Sequence, residues 1–191
     1  MIENELVEKG LIPLDKSWII RMGVLDMLHG YTDIIDFLNQ YQLKEKLGDD
    51  LEALLRCAKA WGRNEPLDVG EAGTLYRMLK FAGWKQGLKL EFITRGTLSN
   101  RPITDDPSII TWSQKKHLTL DGGTSQWASA AVIVGEDEER LTDAPYKLMV
   151  SYMAIDHWKK SRADGKVWQP QGIEQFLLRQ KPTSRCSRRS T

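Results

Sequence analysis

The sequence predicts a mixed α/β chain of the α+β kind, with small helices set between short strands. Three observations point there. Apolar residues recur at three- and four-residue steps in several separate stretches, two short segments alternate apolar and polar, and glycines mark the boundaries between them. Lys16 to His29 (KSWIIRMGVLDMLH) puts Ile20, Val24, Met27 and Leu28 at helical spacing, behind Asp15 or Ser17 as cap, and predicts an amphipathic first helix. After the polar loop KEKLGDD, Leu51, Leu54, Leu55, Ala58 and Trp61 repeat the step, with Asp49 or Asp50 as N-cap and Gly62 just past the end. Gly73 to Phe81 (GTLYRMLKF) reads as a third helix that Gly83 stops.

Leu88 to Thr94 (LKLEFIT) alternates as a half-buried strand does, and Leu118 to Leu120 predicts another. Further helices follow from Ser125 to about Val134 and from Pro145 to about Lys160, the last with Leu148, Met149, Tyr152, Met153 and Trp158 on its inner side. Beyond Arg162 the regularity fades into a turn-rich GKVWQPQG, a short helical IEQFLLRQ and a basic KPTSRCSRRST predicted to be mobile. The resulting division is a lobe over 1–162, an extension over 163–178 and a tail over 179–191.

The chain has 191 residues, 41% hydrophobic and 28% charged, which excludes a disordered or fibrous chain. Its 27 bases and 26 acids hide an asymmetry. Arg179, Lys181, Arg185, Arg188 and Arg189 crowd the last 13 residues, and the body keeps 22 bases against 26 acids. Such a body gives no case for nucleic-acid binding, so any anion must be held locally. Cys57 and Cys186 support neither a disulfide framework nor a thiolate metal site. The apolar runs fall short of a membrane span, and a soluble cytoplasmic protein is expected. His29, His117 and His157 show no metal-ligand spacing and are expected at the surface or at strand ends. Trp18, Trp61, Trp127 and Trp158 are expected mostly in the core.

Three polar clusters open helices. In DKSWIIR, Lys16, Ser17 and Arg21 bring two cations and a hydroxyl to one helix start, suited to a phosphate or carboxylate; a capped surface helix is the plainer alternative. VGEAGTLYR sets two glycines and a threonine before a helix with Arg77 in its first turns. It matches neither the phosphate-loop pattern nor the dinucleotide pattern, which speaks against ATP and NAD, and a simple strand-to-helix turn explains it equally well. DGGTSQWASAA repeats the device with Thr124, Ser125 and Gln126, an oxyanion nest or an N-cap. Pro102 forces the preceding Arg101 into an extended pose.

The order of these clusters resembles the enolpyruvyl transferases, most closely the EPSP synthase (5-enolpyruvylshikimate-3-phosphate synthase) family. The matching segments run from LDKSWIIR through GDDLEALLRCAKAWG, GEAGTLYRML, RGTLSNRPI and DGGTSQWASA to DAPYKLMVSYM, roughly residues 11 to 158. The resemblance implies one lobe of repeated βαβαββ units, with helices packed inside short-stranded sheets, where the family has two. It implies shikimate-3-phosphate and phosphoenolpyruvate as substrates, no cofactor, no metal, and a second chain that supplies the other lobe with its acid, base and phosphoenolpyruvate clamp. By the resemblance Lys16 takes the catalytic position near both substrates, Ser17 contacts substrate, and Arg21 meets the shikimate carboxylate. Gly73 and Arg101 help hold phosphoenolpyruvate, Thr124, Ser125 and Gln126 hold shikimate-3-phosphate, and Tyr146 matches the Pro-Tyr motif.

Two positions depart from the family pattern. Glu71 stands where the family has Asn, and Asp143 where it has Ser, so each adds a negative charge where an anion should approach. A non-catalytic binding or interaction module that kept the fold is the alternative these acids favour. A truncated remnant is the third reading, suggested by the tail.

Overall fold

The computed structural model describes residues 16–43, 46–100, 126–135, 146–165 and 167–168. Its centre is α1 (Lys16–Leu28), which buries Trp18, Ile19, Ile20, Met22, Val24, Leu25 and Met27 around its whole circumference. The expectation of a one-faced amphipathic helix is therefore corrected: a helix apolar all round is a core helix, with neighbours on every side. Those neighbours are α2 (Asp33–Gln42), α3 (Asp49–Ala60), α4 (Gly73–Gln86), α6 (Gln126–Val134) and α7 (Tyr146–Ala163).

α2 stands where the sequence predicts no element. Ile34, Phe37 and Leu38 are its buried face, and Asp33 and Asp36 lie in its first turn, where the helix dipole favours acids. In α3 the N-cap is Gly48, and Asp49, Asp50 and Glu52 fill the first turn, so the two aspartates expected as caps act through the dipole instead. Trp61 is its C-cap and only half-buried, unlike Trp18, Trp127 and Trp158 in the core. Cys57 lies on the buried side of α3; burial pushes its thiol up to about 12, and it donates to the Asp68 carbonyl at 3.5 Å.

α4 runs through Gly83 to Gln86, so Gly83 does not stop it. A side chain at Gly83 would put its Cβ 2.6 Å from Leu90 Cδ1; the glycine lets Leu90 pack onto the helix. The stop is Gly87, whose φ of +68° is left-handed, with the Leu88 N–H donating to the Gly83 carbonyl and the Gly87 N–H to that of Trp84. This cap also shortens the expected strand Leu88 to Thr94. With Leu88 and Leu90 committed to α4, only Phe92–Thr94 forms β2.

β2 pairs in parallel with β1 (Leu67–Gly70), in the register Leu67↔Phe92, Asp68↔Ile93 and Gly70↔Thr94. Four-residue α5 (Gly96–Ser99) follows β2. Among the described residues the architecture is thus helix-rich, with one small parallel sheet. The expected strand at Leu118 to Leu120, the segment 173–180 and the tail lie outside the described residues.

α6 and α4 pack along each other; Ala128, Ser129, Ala130 and Ala131 keep α6 thin enough to sit buried between α4, α1 and α7. α7 ends at Ala163, close to the expected boundary at Lys160. Of its expected inner residues Leu148, Tyr152 and Trp158 are buried and Met153 packs against the core, but Met149 is 41% exposed. Met149 lies one position off the Leu148, Tyr152, Ile155 stripe, about 100° around the helix from Leu148. His157 corrects the expectation of a surface histidine, being 2% exposed, whereas His29 is exposed as expected and His117 lies outside the described residues.

Candidate functional site

The helix starts singled out in the sequence form two polar nodes. At the first, Arg21 sits one turn into α1 and is buried. Its Nη1 donates to the Ser17 carbonyl at 2.8 Å and to Ser17 Oγ, and its Nε donates to Ser151 Oγ on α7 at 2.9 Å. The guanidinium thus ties the start of α1 to the helix that the Pro-Tyr motif opens. Because Ser17 Oγ accepts from a cation, its own O–H is polarised toward donation, the role an anion requires. Lys16 points elsewhere: its exposed Nζ pairs with Asp50 Oδ2 in the first turn of α3 at 2.8 Å. The two cations expected at one helix end therefore reach different elements.

At the second node Arg77 Nη1 donates to the Gly73 carbonyl at 3.2 Å and to Gln126 Oε1 at 2.5 Å, with its guanidinium carbon 5.9 Å from the centroid of the Trp127 ring. Arg77 is 7% exposed, so these bonds form away from water, where each is worth more. This guanidinium joins the glycine-threonine motif to the glutamine of the Thr-Ser-Gln motif, 49 residues away. Arg101, Thr124, Ser125 and Asp143 lie outside the described residues, and Tyr146 is the first residue of α7.

Glu71 follows β1 at its carboxyl end. Its side chain lies over Gly96, and Thr97 Oγ1 donates to Glu71 Oε2 at 3.4 Å. Beside it, Asp68 Oδ2 accepts from Arg95 Nη2 at 2.7 Å and forms an ion pair with Arg56, whose Nε lies 3.2 Å away, while Oδ1 accepts the Gly70 N–H. Two guanidinium groups thus converge on the Asp68 carboxylate at this edge of the sheet. Gly96 has φ +52°, and a Cβ there would collide with Glu71 Oε1. Gly96→Ala is expected to lose about 1–2 kcal/mol, and Glu71→Ala in that background should recover the collision but not the roughly 1 kcal/mol left-handed penalty. Urea melts of the single and double variants check this; strict additivity would overturn it.

No family model, curated protein or solved structure matches the chain. The chemistry therefore has to be read from the nodes themselves: buried guanidinium groups, a polarised hydroxyl, an amide and helix starts, all of them suited to holding an oxyanion. A cavity of about 320 Å³ lies at the opposite end of the sheet, between Trp61, Pro66, Leu88 and Leu90, and holds none of these residues. Among the described residues no group of three His, Cys, Asp or Glu side chains gathers as metal ligands, and no helix is long and apolar enough to cross a membrane.

The sequence places Arg77 in the first turns of its helix without a role, points to neither Ser151 nor Asp26, and puts His157 at the surface or a strand end rather than in the core. Ser151 is a lone serine in the run LMVSYM, and Asp26 a lone carboxylate in GVLDML. A polar residue on the inner side of an otherwise apolar helix was the available signal.

Proposed function

We propose that this chain is an EPSP synthase-like enolpyruvyl transferase lobe that binds shikimate-3-phosphate and part of phosphoenolpyruvate, built on repeated βαβαββ units and working in the cytoplasm. What supports the reading is the Arg77 bridge. It holds the Gly73 carbonyl and the Gln126 side chain on one guanidinium, so the two motifs that resemble the family's phosphoenolpyruvate and shikimate-3-phosphate segments act as one unit. Lys16, Ser17, Arg21, Gly73, Arg101, Thr124, Ser125, Gln126 and Tyr146 are the residues assigned to substrate. The addition of the substrate hydroxyl to the enol ether carbon, and the loss of phosphate, need an acid and a base as well as anion binding. In this reading a second chain brings them.

A ligand at one hundred times its Kd stabilises by about 2.7 kcal/mol, which for a chain of this size raises Tm by roughly 5–10 °C. Millimolar shikimate-3-phosphate is expected to do this for the wild type and much less for Gln126→Ala. Turnover is expected only when a second lobe is added. The absence of any shift at millimolar ligand would overturn the reading.

Glu71 favours a second reading, a binding module that does not take phosphoenolpyruvate, because its carboxylate sits at the end of β1 just before Gly73. Glu71→Asn combined with Asp143→Ser would then create phosphoenolpyruvate binding that the natural chain lacks.

A further inference from the structure

Ser151 has no assigned role, yet it ties Arg21 to a different helix. Its side chain is fully buried on α7, 130 residues from Arg21, and its Oγ accepts the Nε–H at 2.9 Å. An arginine side chain has many rotamers, and its planar fork recognises a carboxylate best when the plane is fixed. Two anchors on different helices, Ser17 at Nη1 and Ser151 at Nε, fix both its position and its tilt.

We propose that Ser151 is a positioning residue, holding the Arg21 guanidinium in the plane that receives the carboxylate of the bound ligand. The proposal rests on the reading of the site as one for shikimate-3-phosphate, and it adds a residue to that site. α7 neighbours Leu148, Tyr152 and Ile155 are buried alongside it, so the serine hydroxyl meets the guanidinium inside the packed core. A serine kept only for packing would be replaceable by alanine at no loss in ligand discrimination.

The experiment compares wild type, Ser151→Ala and Ser151→Thr in calorimetric titrations with shikimate-3-phosphate and with its analogue whose carboxylate is reduced to a hydroxymethyl group. Ser151→Ala is expected to weaken shikimate-3-phosphate about tenfold and to leave the analogue unchanged, since the lost order acts only on the carboxylate. Ser151→Thr, which keeps the acceptor, should restore the preference. Equal losses for both ligands would mark a merely structural role and overturn the proposal.

A second measurement does not depend on ligand. In the wild type the Arg21 Nε–Hε NMR resonance should be protected from exchange, and in Ser151→Ala, where its acceptor is gone, it should exchange measurably faster. An unchanged resonance overturns the positioning role. A wild type that binds neither compound, with the resonance nonetheless released by Ser151→Ala, overturns the functional reading while Ser151 still fixes Arg21.

Discussion

Replacing Asp26 by alanine is expected to cost about 3–5 kcal/mol of stability, the range for breaking a buried charged network on one side only. The carboxylate is fully buried in α1, where Oδ1 takes Trp158 Nε1 at 2.8 Å and Arg162 Nη2 at 2.5 Å, and Oδ2 takes Trp168 Nε1 at 2.6 Å. Burial raises its pKa above the ordinary carboxylate value, while the hydrogen bonds from the two indoles and Arg162 pull it back. All three partners donate, so the ionised form is the one that they satisfy. Alanine leaves two buried indole N–H groups with no acceptor and strips Arg162 of its inner partner, leaving Asp33 at 3.0 Å as an exposed substitute.

The loss should appear as a drop in Tm of about 10 °C or more. Asp26→Asn should fall in between, because its amide keeps one acceptor and sets an NH₂ against a donor. A destabilisation under 1 kcal/mol for Asp26→Ala would show that the network contributes nothing net. The cluster also explains why Trp168, beyond the end of α7, is buried: its ring packs on Phe37 with centroids 4.7 Å apart while its N–H reaches Asp26.

The same residues show what a sequence can and cannot disclose here. Leu51, Leu54, Leu55 and Ala58 fix α3 by spacing alone, and α4, α6 and α7 follow the same logic, because a helix's inner face is a local property of the chain. Asp33 to Gln42 carries the same spacing in Ile34, Phe37, Leu38 and Tyr41, interleaved with enough polar residues to pass for the loops on either side. Gly83 looked like a stop because its reason for being glycine, the methyl group of Leu90, lies in the next segment. Asp26, Arg21 and Arg77 acquire their meaning from partners 49 to 142 residues away, and no periodicity reports such a distance. The Gly73 turn was read as anion nest or plain strand-to-helix connection. It is a strand-to-helix connection in form, with Arg77 adding the chemistry.

His157 should make the protein sensitive to acid well before its carboxylates protonate. Burial, helped by the charge of Lys160, lowers its pKa from 6.5 to about 4, so the folded chain keeps a neutral ring down to that pH. The unfolded chain binds the proton from pH 6.5 downward. Stability is therefore full above 6.5 and is lost as pH falls to 4, at up to 1.36 kcal/mol per unit and about 3 kcal/mol in all. The structural cause is visible in the core: among the described residues neither ring nitrogen has a hydrogen-bond partner, and Trp18 is a neighbour at 6.0 Å between ring centroids. A protonated ring would bury two donors and a charge together. His157→Phe keeps an aromatic ring of similar size and removes the proton site, so at pH 7 it should be close to neutral or slightly stabilising. Urea melts from pH 7 to 4 should then show the wild type losing about 3 kcal/mol more than the variant. Other titrating groups are common to both proteins and cancel in that difference. Parallel profiles would mean that the buried ring finds an acceptor when charged, and hydrogen exchange in α1 and α7 would locate it.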